Sequence, residues 1–198
     1  RNRNSLPRPA FDDPVRQLSV QYSHPEWLVR RWVARFGKER TEKLLTACNR
    51  PAPLVIRANI LRTTRDELKG ALTAEGVETR ETTYSSAGLE MLSSPGLKNL
   101  AAFLDGRFLV QDEAAQLPVA LFGASLPGPA LDVCAAPGGK TCHVLERVGG
   151  RAEVTALDIA EARLGRVREN LERLGLVARV VAGDVATPHE WWDGRPFD

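Results

Sequence analysis

At 198 residues, with 43% hydrophobic and 26% charged side chains, the chain has ordinary globular composition and room for one large domain or two small ones. No apolar run reaches 18 residues and the opening stretch RNRNSLPRPAFDD is polar, so neither a membrane-spanning helix nor a secretory signal is expected and a cytoplasmic location is. The net charge of +2 conceals a division: residues 1 to 50 carry 11 Lys/Arg against 5 Asp/Glu, and the remainder carries 16 against 20. A basic leading segment of this kind suits a polyanionic partner, although a solvated helix face has the same composition.

The first element in chain order is HPEWLVRRWVARFGKERTEKLLTAC, which reads as helical. Pro25 suits a first helical position, Leu28, Trp32 and Phe36 recur at helical spacing, and Gly37 is a candidate end. Arg31, Arg35 and Lys38 share a neighbouring face, so the helix is expected to bury its aromatics, Trp27 included, and to show its cations to phosphate. After the break at NRPAP, Leu54 to Ala58 reads as a strand and TTRDELKGALTAEGVE as a capped helix ending near Gly76. An extended piece from Val77 to Thr83, a helix-like LKNLAAFLDG and a strand RFLVQD complete a small α/β unit spanning residues 51 to 112.

Pro127-Gly128-Pro129 punctuates the chain, and a domain boundary is expected between residues 105 and 127. Beyond it the pattern becomes strand, loop, helix: ALDVCA, KTCHVLERVG, AEVTALD, ARLGRVRENLERLG and ARVVAGD. Such alternation predicts right-handed βαβ units, that is, an α/β fold with a Rossmann-like parallel sheet over residues 113 to 198. Ligands bind such sheets outside the carboxyl ends of their strands.

The loop LDVCAAPGGKT ends in Gly139-Lys140-Thr141, as a nucleoside-triphosphate P-loop does. A P-loop needs glycine where this chain has Cys134, and Pro137 lacks an N–H for the phosphate cradle. A nicotinamide-type G-x-G-x-x-G is absent too. Instead each strand ends in usable chemistry: Pro137-Gly138-Gly139 leave backbone bare for a bulky ligand, Asp158 lies 19 residues beyond Gly139 where a carboxylate takes ribose hydroxyls, and Asp184 follows the third strand. A single aspartate after a strand is usually a turn or cap residue; three strand ends in phase point to one nucleoside.

Together LDVCAAPGGKTCHVLE, VTALDIAEARLGRVRENLERLGL and VVAGD resemble the S-adenosylmethionine site of the Sun family of RNA cytosine-C5 methyltransferases. YSHPEWLVRRW and FLVQDEAAQ extend the likeness over most of the chain from about residue 20. The resemblance implies a class I S-adenosyl-L-methionine-dependent methyltransferase domain preceded by helices at 1–50 and an RRM-like domain at 51–112, acting on ribosomal RNA of the small subunit. It places Cys134, Ala135, Ala136, Pro137, Gly138, Gly139 and Lys140 against the methionine part of the cofactor, Asp158 on the ribose and Asp184 at the adenine edge. Lys140 either favours the cofactor carboxylate or is simply solvated. Gln111 and Asp112 would help shape the methionine end.

In this family a cysteine thiolate adds to cytosine C6, so that C5 can attack the methyl group. The cysteines concerned, one in a Pro-Cys pair, follow the third strand; this sequence holds no Pro-Cys, and its catalytic cysteines are expected beyond residue 198, in a longer polypeptide. Cys134 is expected to pack, and Cys48 and Cys142 to be ordinary helix residues. No C-x-x-C pair or zinc spacing exists among three cysteines and three histidines, and no metal is expected. The RRM-like unit lacks the aromatic RNP signature, so RNA grip is expected from phosphate contacts by Arg30, Arg31, Arg35, Lys38 and Arg40. The alternatives are the same cofactor fold with a protein or small-molecule acceptor, or a non-catalytic RNA-binding remnant.

Overall fold

A computed structural model of the chain describes residues 11–93, 96–121 and 126–198. The first ten residues of the expected basic segment, and residues 122–125 within the expected boundary, lie outside the described residues. The chain divides into two compact units, Arg1–Ala52 and Pro53–Asp198.

The described residues of the first unit hold three helices: α1 Pro14–Tyr22, α2 Glu26–Phe36 and α3 Lys38–Cys48. α1 carried no strong signal in the sequence. Its start is set by Asp13, whose side chain accepts from the Val15 N–H at 2.8 Å, and by Pro14 in the first turn. Gly37, at φ 77°, separates α2 from α3, so Lys38 begins a new helix and does not share the face of Arg31 and Arg35. The buried stripe also differs from the expected one. Val15, Leu18, Val29 and Leu45 form the core, with Trp32 partly buried against it, while Trp27 is 66% and Phe36 42% exposed. Val29 and Val33 sit one position along from the Leu28–Trp32–Phe36 row, and the partner helices selected that adjacent stripe.

The second unit begins with an antiparallel sheet. Its strands are β1 Leu54–Ala58, β2 Thr79–Glu81, β3 Gly88–Met91 and β4 Phe108–Val110, in the order β2-β3-β1-β4. Ile56 stands opposite both Leu89 and Val110, which fixes β1 as a central strand. α4 Arg65–Ala74 starts with a reciprocal Thr64/Glu67 capping box and lays Leu68 and Leu72 on the sheet. The helix expected over LKNLAAFLDG is broken into a 3₁₀ turn, Leu97–Asn99, and the single-turn α5 Ala101–Leu104. β3 was not separated from its surroundings in the sequence because Ala87-Gly88 interrupts its apolar pattern.

α6 Glu113–Leu121 occupies the stretch expected to be a boundary and packs on the next helix. The parallel sheet follows: β5 Ala130–Val133, α7 Gly139–Arg147, β6 Val154–Asp158, α8 Glu161–Leu174 and β7 Arg179–Ala182, with β6 in the middle. α8 is amphipathic, burying Leu164, Val167, Leu171 and Leu174. Each such side chain contributes about 1.5–3 kcal/mol on burial. The fold is therefore the expected α/β architecture, with a Rossmann-like sheet after a small antiparallel α/β unit.

Candidate functional site

The carboxyl ends of β5, β6 and β7 bring the singled-out residues to one end of the parallel sheet. Register explains this: Val133 pairs with Leu157 and Asp158 with Ala182, so the segments beginning at Cys134, Ile159 and Gly183 leave the sheet at a common level. Cys134 leaves β5 in the left-handed conformation, φ 61°, and is exposed, so it does not pack into the core as expected. Ala135 and Ala136 are buried, the Ala135 N–H donating to Leu157 O at 2.9 Å. Gly138, at φ 95°, donates to Ala135 O at 2.6 Å and starts α7. A Cβ at Gly138 would stand 3.3 Å from Val167 Cα on α8, so glycine is required both by conformation and by close helix approach. Lys140 is exposed, with no hydrogen bond or ion pair among the described residues.

Asp158 is enclosed, 3% exposed. Its Oδ2 accepts from the Ala136 N–H at 3.2 Å and its Oδ1 from the Ala160 N–H at 3.1 Å, tying the loop after β5 to the end of β6. Arg163 stands over it, Nη1 at 3.5 Å from Oδ1, and donates through Nη2 to Ala136 O at 3.2 Å. Oδ2 keeps a second lone pair for a hydroxyl, and the second lone pair of Oδ1 faces Arg163, whose side chain is 58% exposed. Asp184 is half-buried; its Oδ1 accepts from the Ala186 N–H at 2.9 Å, and its carbonyl accepts from the Trp191 indole at 2.8 Å. Ile159 and Val185, each the residue after one of these acids, are 70% and 49% exposed. Sequence reasoning passed over them; the signal was an apolar side chain directly after a strand-ending acid.

The loop is held from behind by the antiparallel sheet. Arg57 on β1 is fully buried and donates to Glu146 on α7 through Nη2 at 2.7 Å and Nε at 3.3 Å, to Gly139 O at 3.2 Å and to Gln111 Oε1. Gln111, expected to help shape the methionine end, braces the loop from behind: its Nε2 donates to Ala115 O, and a Cβ at Gly139 would meet it at 3.4 Å. Burial pushes the Glu146 carboxyl above its usual range, and Arg57 pulls it back. Asp112 lies near the start of α6, its Oδ1 accepting from the Ala114 N–H.

The geometry disfavours a P-loop. The Thr141 hydroxyl, which a P-loop presents to magnesium, donates to Asp132 Oδ2 on β5 at 2.6 Å. Burial pushes the Cys142 thiol up to about 12, leaving it protonated inside α7, and Cys48 is exposed at the end of α3. No group of three or more His, Cys, Asp and Glu able to hold a metal occurs among the described residues, and no described helix is long and apolar enough to cross a membrane.

The expected phosphate contacts lie in the first unit. Arg30 is paired, with Glu26 at 2.7 Å and Asp13 at 3.3 Å. Arg31, Arg35, Lys38 and Arg40 are exposed, and Arg35 lies over the Phe36 ring at 5.5 Å.

Comparison with known proteins matches this arrangement twice. Residues 24–96 match the ferredoxin-like domain of RsmF/B-like methyltransferases, and residues 128–198 match 16S rRNA methyltransferase RsmB/F. Ribosomal RNA small subunit methyltransferase B of Pseudomonas putida is 40% identical over 93% of this chain and 41% of its own length. The chain spans 33% to 41% of the length of the first curated relatives it matches. Among solved structures, PH0851 superposes with a TM-score of 0.83 and 25% identity over 94% of this chain and 42% of its own. NSun6 from Pyrococcus horikoshii, solved with SFG, superposes at 0.75 with 20% identity over 84% of this chain and 67% of its own, a likeness of fold. An antiparallel ferredoxin-like sheet bracing a Cys-Ala-Ala-Pro-Gly-Gly-Lys loop, matched on both sides by these models, places the chain in the RsmB/F branch of the Sun family of methyltransferases.

Proposed function

We propose that this chain is the cofactor-holding part of an S-adenosylmethionine-dependent enzyme that methylates C5 of a cytosine in small-subunit ribosomal RNA. The observation that carries the reading is the delivery of the Cys134–Lys140 loop, Asp158 and Asp184 to one end of the parallel sheet. In this reading residues 1–50 form a basic helical segment, 51–112 an RRM-like domain and 113–198 the cofactor domain.

The residues present suit the cofactor. The bare backbone at Gly138 and Gly139 and the exposed Lys140 ammonium fit an amino-acid end, the lone pairs left on Asp158 fit the ribose diol, and Ile159, Val185 and Asp184 fit an adenine face and its amino group. When bound, S-adenosylmethionine supplies an electrophilic methyl group. Asp158 orients the ribose by accepting from its hydroxyls, while the exposed aliphatic side chains beside it exclude water from the base. None of the three cysteines of the chain suits the attacking thiolate: Cys142 is buried and protonated, Cys134 belongs to the cofactor loop, and Cys48 lies in the helical unit.

Isothermal titration with S-adenosylmethionine tests the site, with Mg-ATP as control and Asp158→Ala as second protein. Binding of the former alone, weakened at least tenfold by the substitution, is expected. Binding of ATP, or equal affinity in both proteins, would overturn the assignment.

A further inference from the structure

Beside the cofactor loop lies a cavity of about 720 Å³ that no step above uses. Its walls come from the 3₁₀ turn before α5, from α5 itself, from β4, from α8 and from Pro137 of the loop. Pro137 is also fixed to α8, since its carbonyl accepts from Asn170 Nδ2 at 3.0 Å. The floor is apolar: Phe103, Leu109, Val110 and Pro137. Val110 belongs to β4, which ends the sheet order β2-β3-β1-β4, and is 42% exposed.

The charge around this floor is of one sign. Lys98, Arg166 and Arg173 line the cavity, and among the described residues no carboxylate does. Arg173 is committed: it donates to Phe103 O and Phe108 O, both at 2.9 Å, and stacks on the Phe103 ring at 3.9 Å. Lys98 is exposed and makes no hydrogen bond or ion pair among the described residues. Arg166 has only a 3.9 Å approach to Glu169 on the exposed helix surface. Such a surface pair is worth well under about 1 kcal/mol, so Arg166 is available to a better anion.

Resting on the RNA reading above, we infer that this cavity is a nucleotide subsite for a single-stranded stretch of the RNA. A base lies on the Phe103–Val110–Pro137 floor, Asn99 is at hand for its edge, and Lys98 and Arg166 take the flanking phosphates. The volume fits one nucleotide, since ligand pockets commonly enclose about 300–1,000 Å³. An apolar, partly aromatic floor rimmed by cations is the chemistry by which proteins hold single-stranded nucleic acid. An acidic peptide would be drawn by the same cations, but it has less use for the apolar floor. Placement against Pro137 adds direction, because an occupant lies next to the loop assigned to the methyl donor.

The test uses the whole chain and a short labelled single-stranded RNA carrying 4-thiouridine. Lys98→Glu with Arg166→Glu is compared with the parent and with Arg151→Glu, an exposed arginine outside the cavity; an unchanged urea midpoint and unchanged S-adenosylmethionine affinity certify the fold. The double variant is expected to bind at least tenfold more weakly, with a log-log salt slope shallower by about 1.4, two phosphates at about 0.7 each. Cross-links are expected to map to Lys98–Val110 and α8, with cytidine monophosphate competing only weakly. Parent-like affinity in the double variant, or cross-links confined elsewhere, would overturn this subsite while leaving the RNA reading intact. Failure of the parent to bind RNA would overturn that reading and the subsite with it. Competition by a polyglutamate peptide equal to that by RNA would reassign the cavity to acidic protein, and full competition by free cytidine monophosphate would reassign it to a free nucleotide.

Discussion

His143 on α7 is buried, and its Nδ1 has no partner among the described residues. Burial, reinforced by the charges of Arg57 and Arg147, pushes the imidazole down from 6.5 to about 3. The unfolded chain therefore takes up this proton first as pH falls. The folded state is fully favoured above pH 6.5 and loses stability on acidification toward pH 3, with a slope on the order of 1.4 kcal/mol per pH unit at its steepest. Glu146, raised by burial, acts with the opposite sign, so the comparison needed is with His143→Gln. Urea midpoints between pH 7 and 4 should fall more steeply for the parent than for the variant; parallel profiles would show that His143 is not held neutral. The cysteines offer a second check at this scale. Iodoacetamide should modify exposed Cys134 and Cys48 and spare Cys142, and S-adenosylmethionine should slow the reaction at Cys134 alone. Equal protection of Cys48 would disconnect the loop from the cofactor.

At the scale of elements, the Arg57–Glu146 pair joins a strand of one sheet to the helix that carries the cofactor loop of the other. Arg57→Met would strand a buried carboxylate, at about 3–5 kcal/mol. The double variant Arg57→Met with Glu146→Leu removes both charges and should recover most of that stability. Its cofactor affinity should nevertheless stay low, because Gly139 O and Gln111 lose their donor and the loop loses its brace. Recovery of affinity along with stability would reduce the network to a packing role. Sequence reading found the elements joined here but not the joint. Arg57 reads as one cation within a short apolar strand, and its carboxylate lies 89 residues away.

For the whole molecule, charge is segregated along the chain: residues 1 to 50 hold 11 of the 27 Lys and Arg. Arg30 is tied up in its own helices, which leaves Arg31 and Arg35 as the exposed pair on α2. Replacing both by alanine is expected to weaken RNA binding and to flatten its salt slope by about 1.4, without changing the S-adenosylmethionine affinity. An unaltered slope would remove these two side chains from the interface.

What the sequence determined by itself is what depends on neighbours within one turn or one strand. The alternation of ALDVCA, KTCHVLERVG, AEVTALD and ARLGRVRENLERLG specified βαβαβ, and the loop and acids ending its strands are spaced by that same local period. Tertiary structure alone decided which of two adjacent stripes on α2 was buried, leaving Trp27 in solvent and Val29 in the core. It also decided the order β2-β3-β1-β4, the burial of His143, the bracing of Gly139 by Arg57 and the meeting of Lys98 with Arg166 around one cavity. The reason is physical: periodicity tells a side chain which face of its own element it occupies, whereas burial, charge pairing and cavity shape arise between residues far apart in the chain, and nothing local encodes those distances.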